Sequence, residues 1–399
     1  DVLRNKRNKR GLRSFAAVAL GLMGNPANLR ILQNTYNAPD SKPEVKAGCL
    51  LGLGLLKDER AAYTLYPVIM GNSPEELQSF AVTSLAKIGT TEITFRMGRK
   101  SRKVDVVDLL EKRLVRKTTR TQVRRAMAMA LGTIGREDSS IKALQQAYRI
   151  DRDKGVKGFA LLSLALMKKS DANKLIVRDV LRLALKREKD TTVRGFAALA
   201  LGLSKDQEAG KQLLSVFLKD SNPEVRAAAA IGLGIIKYKP ALPDLGREVE
   251  KPRDGGDARG YACVALGMIG DPAASEYLKS VLENVNIPYL KWASATGLAV
   301  LGDKSAIPMI KEWIDDKNKI TRDSAIRSLG YFRDDSTITP LLDQFKKEKS
   351  DEIRAMICVA LGQIIDTAPS VPVLRRIGRN VNWIAAIKMP SIALLTRIF

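Results

Sequence analysis

Pro223-Glu224-Val225-Arg226-Ala227-Ala228-Ala229-Ala230-Ile231-Gly232-Leu233-Gly234 decides how the chain is read. Val225, Ala229, Gly232, Leu233 and Ile236 fall on one side of a 3.6-residue wheel, the pattern of a helix with one buried face. Ser221-Asn222-Pro223 punctuates the segment on its N-terminal side. With Gly234 as an anchor, the apolar positions are −9, −5, −2, −1 and +2, and residue −8 is the arginine Arg226.

The same segment recurs along the chain. Its anchors are Gly21, Gly54, Ala86, Gly132, Ala165, Gly202, Gly234, Gly267, Ala299, Gly330 and Gly362, most of them 31–33 residues apart. A second helical pattern separates consecutive copies, as in 273–282 and 305–314. A helical hairpin of this size cannot bury its apolar faces alone; stacking hairpins gives a continuous core. The expected fold is therefore all-α, an α-solenoid of about eleven stacked helical hairpins with no strand.

The Pro223–Gly234 segment resembles a HEAT repeat, of the variety called PBS-lyase HEAT-like, and the resemblance covers residues 9–375. It implies a stacked-hairpin fold and leaves function open, because such repeats serve scaffolds, adaptors and a few enzymes. The basic column at −8 agrees with it: Arg13, Lys46, Arg124, Lys157, Arg194, Arg226, Arg259, Lys291, Arg322 and Arg354, broken only by Gln78. Asp40, Asp151, Glu188, Asp220, Asp316 and Glu348 lie six residues before six of these. The resemblance implies an Asp/Arg ladder joining neighbouring hairpins, each acid pairing with the arginine of its own or the next repeat. Arg13, Arg124 and Arg259 have no such acid and are candidate contacts for a partner.

Composition closes much of enzyme space. The 399 residues include no histidine, which removes histidine general acid/base catalysis, Ser-His and Cys-His nucleophiles and every His-ligated metal site. Cys49, Cys263 and Cys358 are far apart and occupy helix positions −5, −4 and −4, so they form neither a zinc knuckle nor a disulfide framework. That usage fits a reducing compartment and slightly favours the cytoplasm, with the periplasm left open. No stretch of 18 apolar residues marks a transmembrane helix, and no cofactor motif is present. Iron-dependent deoxyhypusine hydroxylases are HEAT-built but need His-Glu ligand pairs, and nothing marks the bilin site of a phycobilin lyase. Trp292 with Asp323 is similar in residue type to alkylpurine DNA glycosylases of HEAT-like fold, which lack the regular Leu-Gly pattern.

Charge points to an anionic partner. The formal net charge is +24, and residues 1–125 carry 24 basic against 11 acidic side chains. The spacing from Ala86 to Gly132 is 46 residues, and this long insertion, about 91–121, holds Arg96, Arg99, Lys100, Arg102 and Lys103. Insertions in a solenoid project from one face and often carry function, so these five are candidates for an acidic protein surface or for phosphates. Aromatic content of 5% disfavours base stacking. A second candidate is an apolar groove at position −3, built from Val18, Leu51, Met129, Leu162, Leu199, Ile231, Val264 and Val359, with Trp292 at −7 beside it; the alternative is that neighbouring helices bury these side chains.

Both ends depart from the repeat. The first copy enters directly at its anchor helix, behind the basic run Arg4, Lys6, Arg7, Lys9 and Arg10, which predicts exposed apolar surface and further sequence upstream. Residues 376–399 break the register and are apolar, reading as a cap on the last repeat or a docking tail. The leading functional expectation is a non-enzymatic scaffold or assembly subunit that binds one or more proteins with acidic surfaces. The alternative is a nucleic-acid-binding protein that uses backbone phosphates.

Overall fold

The computed structural model describes residues 1–97, 100–251 and 258–365. The chain order is α1 (Arg10–Leu22), α2 (Asn28–Asn37), α3 (Pro43–Leu56), α4 (Ala62–Met70), α5 (Glu75–Ile88), β1 (Glu92–Met97), β2 (Lys100–Asp105), α6 (Val106–Leu114) and α7 (Thr121–Ile134). It continues through α8 (Glu137–Ile150), α9 (Lys154–Leu166), α10 (Asp171–Arg187), α11 (Thr191–Leu203), α12 (Gly210–Lys219), α13 (Pro223–Ile235) and α14 (Leu242–Glu250). The last elements are α15 (Ala258–Ile269), α16 (Ala274–Asn284), α17 (Pro288–Leu301), α18 (Ile307–Glu312), α19 (Lys319–Phe332), α20 (Ile338–Lys347) and α21 (Asp351–Ile365). The odd-numbered helices carry the repeated motif. The chain forms two compact units, Asp1–Ala200 and the described residues from Leu201 onward.

Within the first unit α1, α3, α5, α7 and α9 pack in sequence, and α2, α4, α6 and α8 lie against the odd helix that follows each. Within the second unit α13, α15, α17, α19 and α21 pack in sequence in the same way, with α14, α16, α18 and α20 behind them. This is the all-α solenoid expected from the repeat. The expectation of no strand is corrected by β1 and β2, an antiparallel hairpin inside the insertion.

Column −9 explains the core. Val45, Val123, Val156, Val193 and Val225 are fully buried there, whereas Leu12 at the same position of α1 is 52% exposed. Met23, at the end of α1, is exposed as well.

The odd helices approach one another through small residues. A Cβ on Gly54 would lie 2.7 Å from the Cα of Ser84, and one on Gly202 2.7 Å from the Cα of Gly232. Gly21 would collide with Gly52, and Gly267 with Gly297. In each case the anchor of one repeat sits on residue −2 of the next, so backbones touch where side chains would otherwise separate them.

Turns between odd and even helices have their own chemistry. In eight copies the residue at +3 lies in the left-handed region, as Gly302 at φ 86° and Lys237 at φ 54° do, whereas Gly135 after α7 has φ −64°. An aspartate follows at +4 in several copies and caps the next turn, Asp303 taking the Ser305 N–H at 3.0 Å and Asp334 the Ser336 N–H at 3.0 Å. Each carboxylate also holds a lysine from the preceding repeat, Lys279 on Asp303 at 3.1 Å and Lys304 on Asp334 at 2.9 Å.

Candidate functional site

The basic column is spent on the stack. Arg226 donates to the main-chain oxygens of Asp220 at 2.9 Å and Ser221 at 3.3 Å. Arg322 does the same to Asp316 and Lys317. Across repeats the contact is to a carboxylate. Arg124 grips Asp151 with Nε at 2.8 Å and Nη2 at 3.1 Å, and Arg322 reaches Glu348 at 3.1 Å. The acid thus pairs with the arginine of the preceding repeat, which corrects the expected direction of the ladder. It also organises its own turn, as Asp220 does by accepting the Asn222 N–H at 2.9 Å, and Asn222 then caps α13 at Val225. The lysine copies lie over aromatic rings, Lys46 over Tyr36 and Lys157 over Tyr148.

The three arginines expected to contact a partner are occupied. Arg13 is buried and its Nε donates to the Leu3 carbonyl at 2.8 Å. Arg259 is buried and donates to the Val249 carbonyl at 2.8 Å. Arg124 is clamped on Asp151. A charged column whose acid is missing at −6 finds a carbonyl or a more distant carboxylate, a choice that spacing alone does not reveal.

The apolar groove is corrected in the same way. Leu199 is 3%, Ile231 1% and Val264 7% exposed, so they belong to the core. Val18, Leu51, Met129 and Leu162 are half-buried, and Val359 is exposed. Trp292 is half-buried beside Tyr289, ring centres 6.0 Å apart, with its Nε1 buried and unbonded. Asp323, expected beside it, is held by Arg327 of its own helix at 2.7 Å. Cys49 and Cys263 are buried, and burial pushes both thiols up to about 12. Cys358, read as a core position, is exposed. Among the described residues no three His, Cys, Asp or Glu side chains gather as a metal site, and no helix is long and apolar enough to cross a membrane.

The insertion carries exposed cations on a folded hairpin. Its register pairs Ile93 with Val104, Thr94 with Lys103 and Phe95 with Arg102. Ile93 and Val104 are buried and seat the hairpin on the stack. Phe95 packs against Tyr63 at 5.5 Å, edge-on, and against Tyr66 at 5.1 Å. The Tyr63 hydroxyl donates to the Thr94 carbonyl at 3.0 Å. At the exit Asp105 caps α6 through the Asp108 N–H at 3.0 Å and binds Arg136 of the next turn at 2.7 Å. Burial works against that carboxylate's charge, but these contacts outweigh it and lower its pKa. Arg102 and Lys103 are exposed, as are Arg116 and Lys117 after α6. Arg99 and the side chains of Arg96 and Lys100 lie outside the described residues, as do residues 376–399.

The model for HEAT repeats matches residues 64–165, 178–256, 280–362 and 308–387. The chain is a HEAT-repeat protein. No curated protein matches this HEAT-repeat chain. Among solved structures it is similar to YibA of Escherichia coli, 17% identical with a TM-score of 0.42, covering 67% of this chain and 100% of that one. It is also similar to the CpcE–CpcF complex of phycocyanin lyase from Nostoc sp. PCC7120, at 19% identity and a TM-score of 0.40, covering 59% and 91%. Human deoxyhypusine hydroxylase is similar at 17% identity and a TM-score of 0.31, covering 65% and 96%. These likenesses concern the fold alone.

Proposed function

We propose that this HEAT-repeat chain is a non-enzymatic scaffold that binds a protein partner through an acidic surface, received by the hairpin and the cations after α6. One observation carries the reading. The hairpin is seated on the stack by Ile93, Val104 and the Tyr63–Phe95–Tyr66 cluster, while Arg102 and Lys103 point to solvent. Elsewhere Arg13, Arg124, Arg226, Arg259 and Arg322 of the −8 column are bonded within the stack, so the hairpin is a place where positive charge stands at the surface for another molecule. The chain has no histidine and its buried thiols are not nucleophiles, which favours binding over catalysis.

Phosphates of a nucleic acid would be attracted to the same cations. Aromatic side chains make up only 5% of the chain, and Phe95 and Tyr66 beside these cations pack against one another, which favours the protein partner. The test replaces Arg102, Lys103, Arg116 and Lys117 by Ser and compares two ligands. A protein isolated by cross-linking to the wild-type chain should be lost by the variant at unchanged melting temperature. Random duplexes should bind wild type only in the range of about 10⁻⁴–10⁻⁶ M at physiological salt. Tight duplex binding that the same four substitutions abolish would reverse the choice of partner.

A further inference from the structure

The hairpin has two edges, and among the described residues the β1 edge is met by α4 through Tyr63. In an antiparallel pair, residues alternate between exchanging hydrogen bonds across the strands and pointing their N–H and C=O away. The Thr94 carbonyl accepts the Tyr63 hydroxyl at 3.0 Å, so it points away from β2 and toward α4. Thr94 therefore belongs to a pair that does not exchange bonds, and so does its partner Lys103. The alternation agrees with the Val106 N–H bonding the Thr91 carbonyl at 2.9 Å, one pair beyond the end of the hairpin. Lys103 and Ser101 consequently aim their main-chain N–H and C=O groups off the outer edge of β2, where both residues are exposed.

We infer that the outer edge of β2 takes an extended acidic segment of a protein partner as a third strand. This rests on the proposed acidic partner and adds how it is held: main-chain hydrogen bonds at Ser101 and Lys103 supply the register, and charge supplies the selectivity. The placement of cations sets the sequence the edge would choose. Arg102 shares its face with Ile93, Phe95 and Val104, and Lys103 lies on the opposite face with Thr94. A strand laid beside β2 alternates faces in step with it. An uninterrupted acidic run therefore places a carboxylate beside each cation, whereas an alternating acidic–apolar segment serves only one of the two. Glu92 already bridges Lys103 across the hairpin at 3.0 Å with both side chains in solvent, so that face accepts a carboxylate without burying it. Cations on an open edge also oppose pairing with a neutral or basic strand, so the same residues that invite an acidic segment keep copies of this hairpin apart.

The probe is fluorescein-labelled octaglutamate, followed by anisotropy on the full chain. Ser101→Pro removes one outward N–H and leaves the bonds between β1 and β2 and every charge in place. Binding should weaken at least tenfold in this variant. Hydrogen exchange on the unaltered chain should show new protection at the Ser101 and Lys103 amides when octaglutamate is added, a readout that does not depend on how the proline variant folds. Equal affinity for wild type and Ser101→Pro, or no new protection at those amides, would overturn the inference. If Arg102→Ser with Lys103→Ser then abolished binding, the acidic-partner reading would stand with a charge-only contact. If octaglutamate failed to bind or ignored those two cations, both would fall.

Discussion

Arg124 and Arg102 are 22 positions apart and have opposite fates. Arg124 sits in the repeat column, forks onto Asp151 and joins two hairpins of the stack. Arg102 sits on a strand that no repeat predicts, has its aliphatic stem next to Phe95 in the register, and ends in solvent. Among the basic residues of the described chain, some are thus bonded within the solenoid and others, such as Arg102, stand at the surface. The difference is topological. A residue in the repeat meets the next copy of the repeat, so its charge is met by a periodic acid or carbonyl. A residue in the insertion meets no copy of itself.

The largest effect should come from the small-residue seam. Gly54→Val places a side chain against the Ser84 backbone, where even a Cβ would be 2.7 Å away, and should cost about 3 kcal/mol or more of the first unit's stability. Urea denaturation of the full chain measures it. Gly11→Ala is the control, because nothing lies within 4 Å of its Cβ position, and it should be neutral or stabilising by about 0.5–1 kcal/mol. Equal behaviour of the two variants would mean that the seam does not set the spacing of the odd helices.

Next in size is the ladder. Arg124→Ala leaves Asp151, whose side chain is 9% exposed, without its bidentate partner and should cost about 2–3 kcal/mol. Arg124→Lys should recover only part of this, since an ammonium cannot serve both carboxylate oxygens and the Thr119 carbonyl. Full recovery by lysine would show that position −8 needs charge rather than a fork.

How far the sequence carries is visible in these two features. The anchors and the −8 column follow from periodicity, because a pattern repeated eleven times needs no three-dimensional knowledge to be seen. The seam is legible too: position −2 holds only Gly, Ala or Ser in every copy, a smallness that an apolar-versus-polar pattern does not register. The apolar groove failed at Leu199, Ile231 and Val264 because a helix wheel shows which side faces away from its own hairpin, not how deeply its neighbours cover that side. The hairpin was hidden for a different reason. Glu92–Met97 alternates imperfectly and Lys100–Asp105 is too charged to look like a strand, so its stability comes from seating on Tyr63 and Tyr66 and not from its own pattern. The Asp303 and Asp334 contacts to lysines of the preceding repeat lie at position +4, away from the −8 column and its acids.

That second set of acids predicts a smaller effect, expressed through pH. Ser336 and then Lys304 hold the Asp334 carboxyl at about 2, and Asp303 is likewise held below the ordinary range. A carboxylate depressed in the folded state contributes stability above its unfolded pKa of about 3.9, and that contribution is lost as pH falls toward the folded value. The melting temperature of the full chain should therefore drop between about pH 4 and pH 2, and Asp334→Asn should lower it at pH 7, where the contribution is fully present, and flatten part of that drop. A slope in this window unaffected by Asp334→Asn would assign the acid sensitivity to other groups.

The smallest effect on stability belongs to the hairpin cations, and it sharpens the comparison most. Lys103 pairs with Glu92 at 3.0 Å, but the two side chains are 70% and 53% exposed, and such pairs contribute little because water screens them. Arg102→Ser and Lys103→Ser should each shift stability by less than about 0.5 kcal/mol. The same substitutions should weaken binding of an acidic partner, and raising the salt should weaken it further, since exposed charges are screened over about 8–10 Å at ordinary ionic strength. Arg124→Ala should show the reverse profile, a loss of stability with partner affinity unchanged under conditions where the stack remains folded. A Lys103→Ser variant as destabilised as Arg124→Ala would mean that the hairpin's charges are part of the stack, and the division of the basic residues into two populations would fail at the position where it is drawn most sharply.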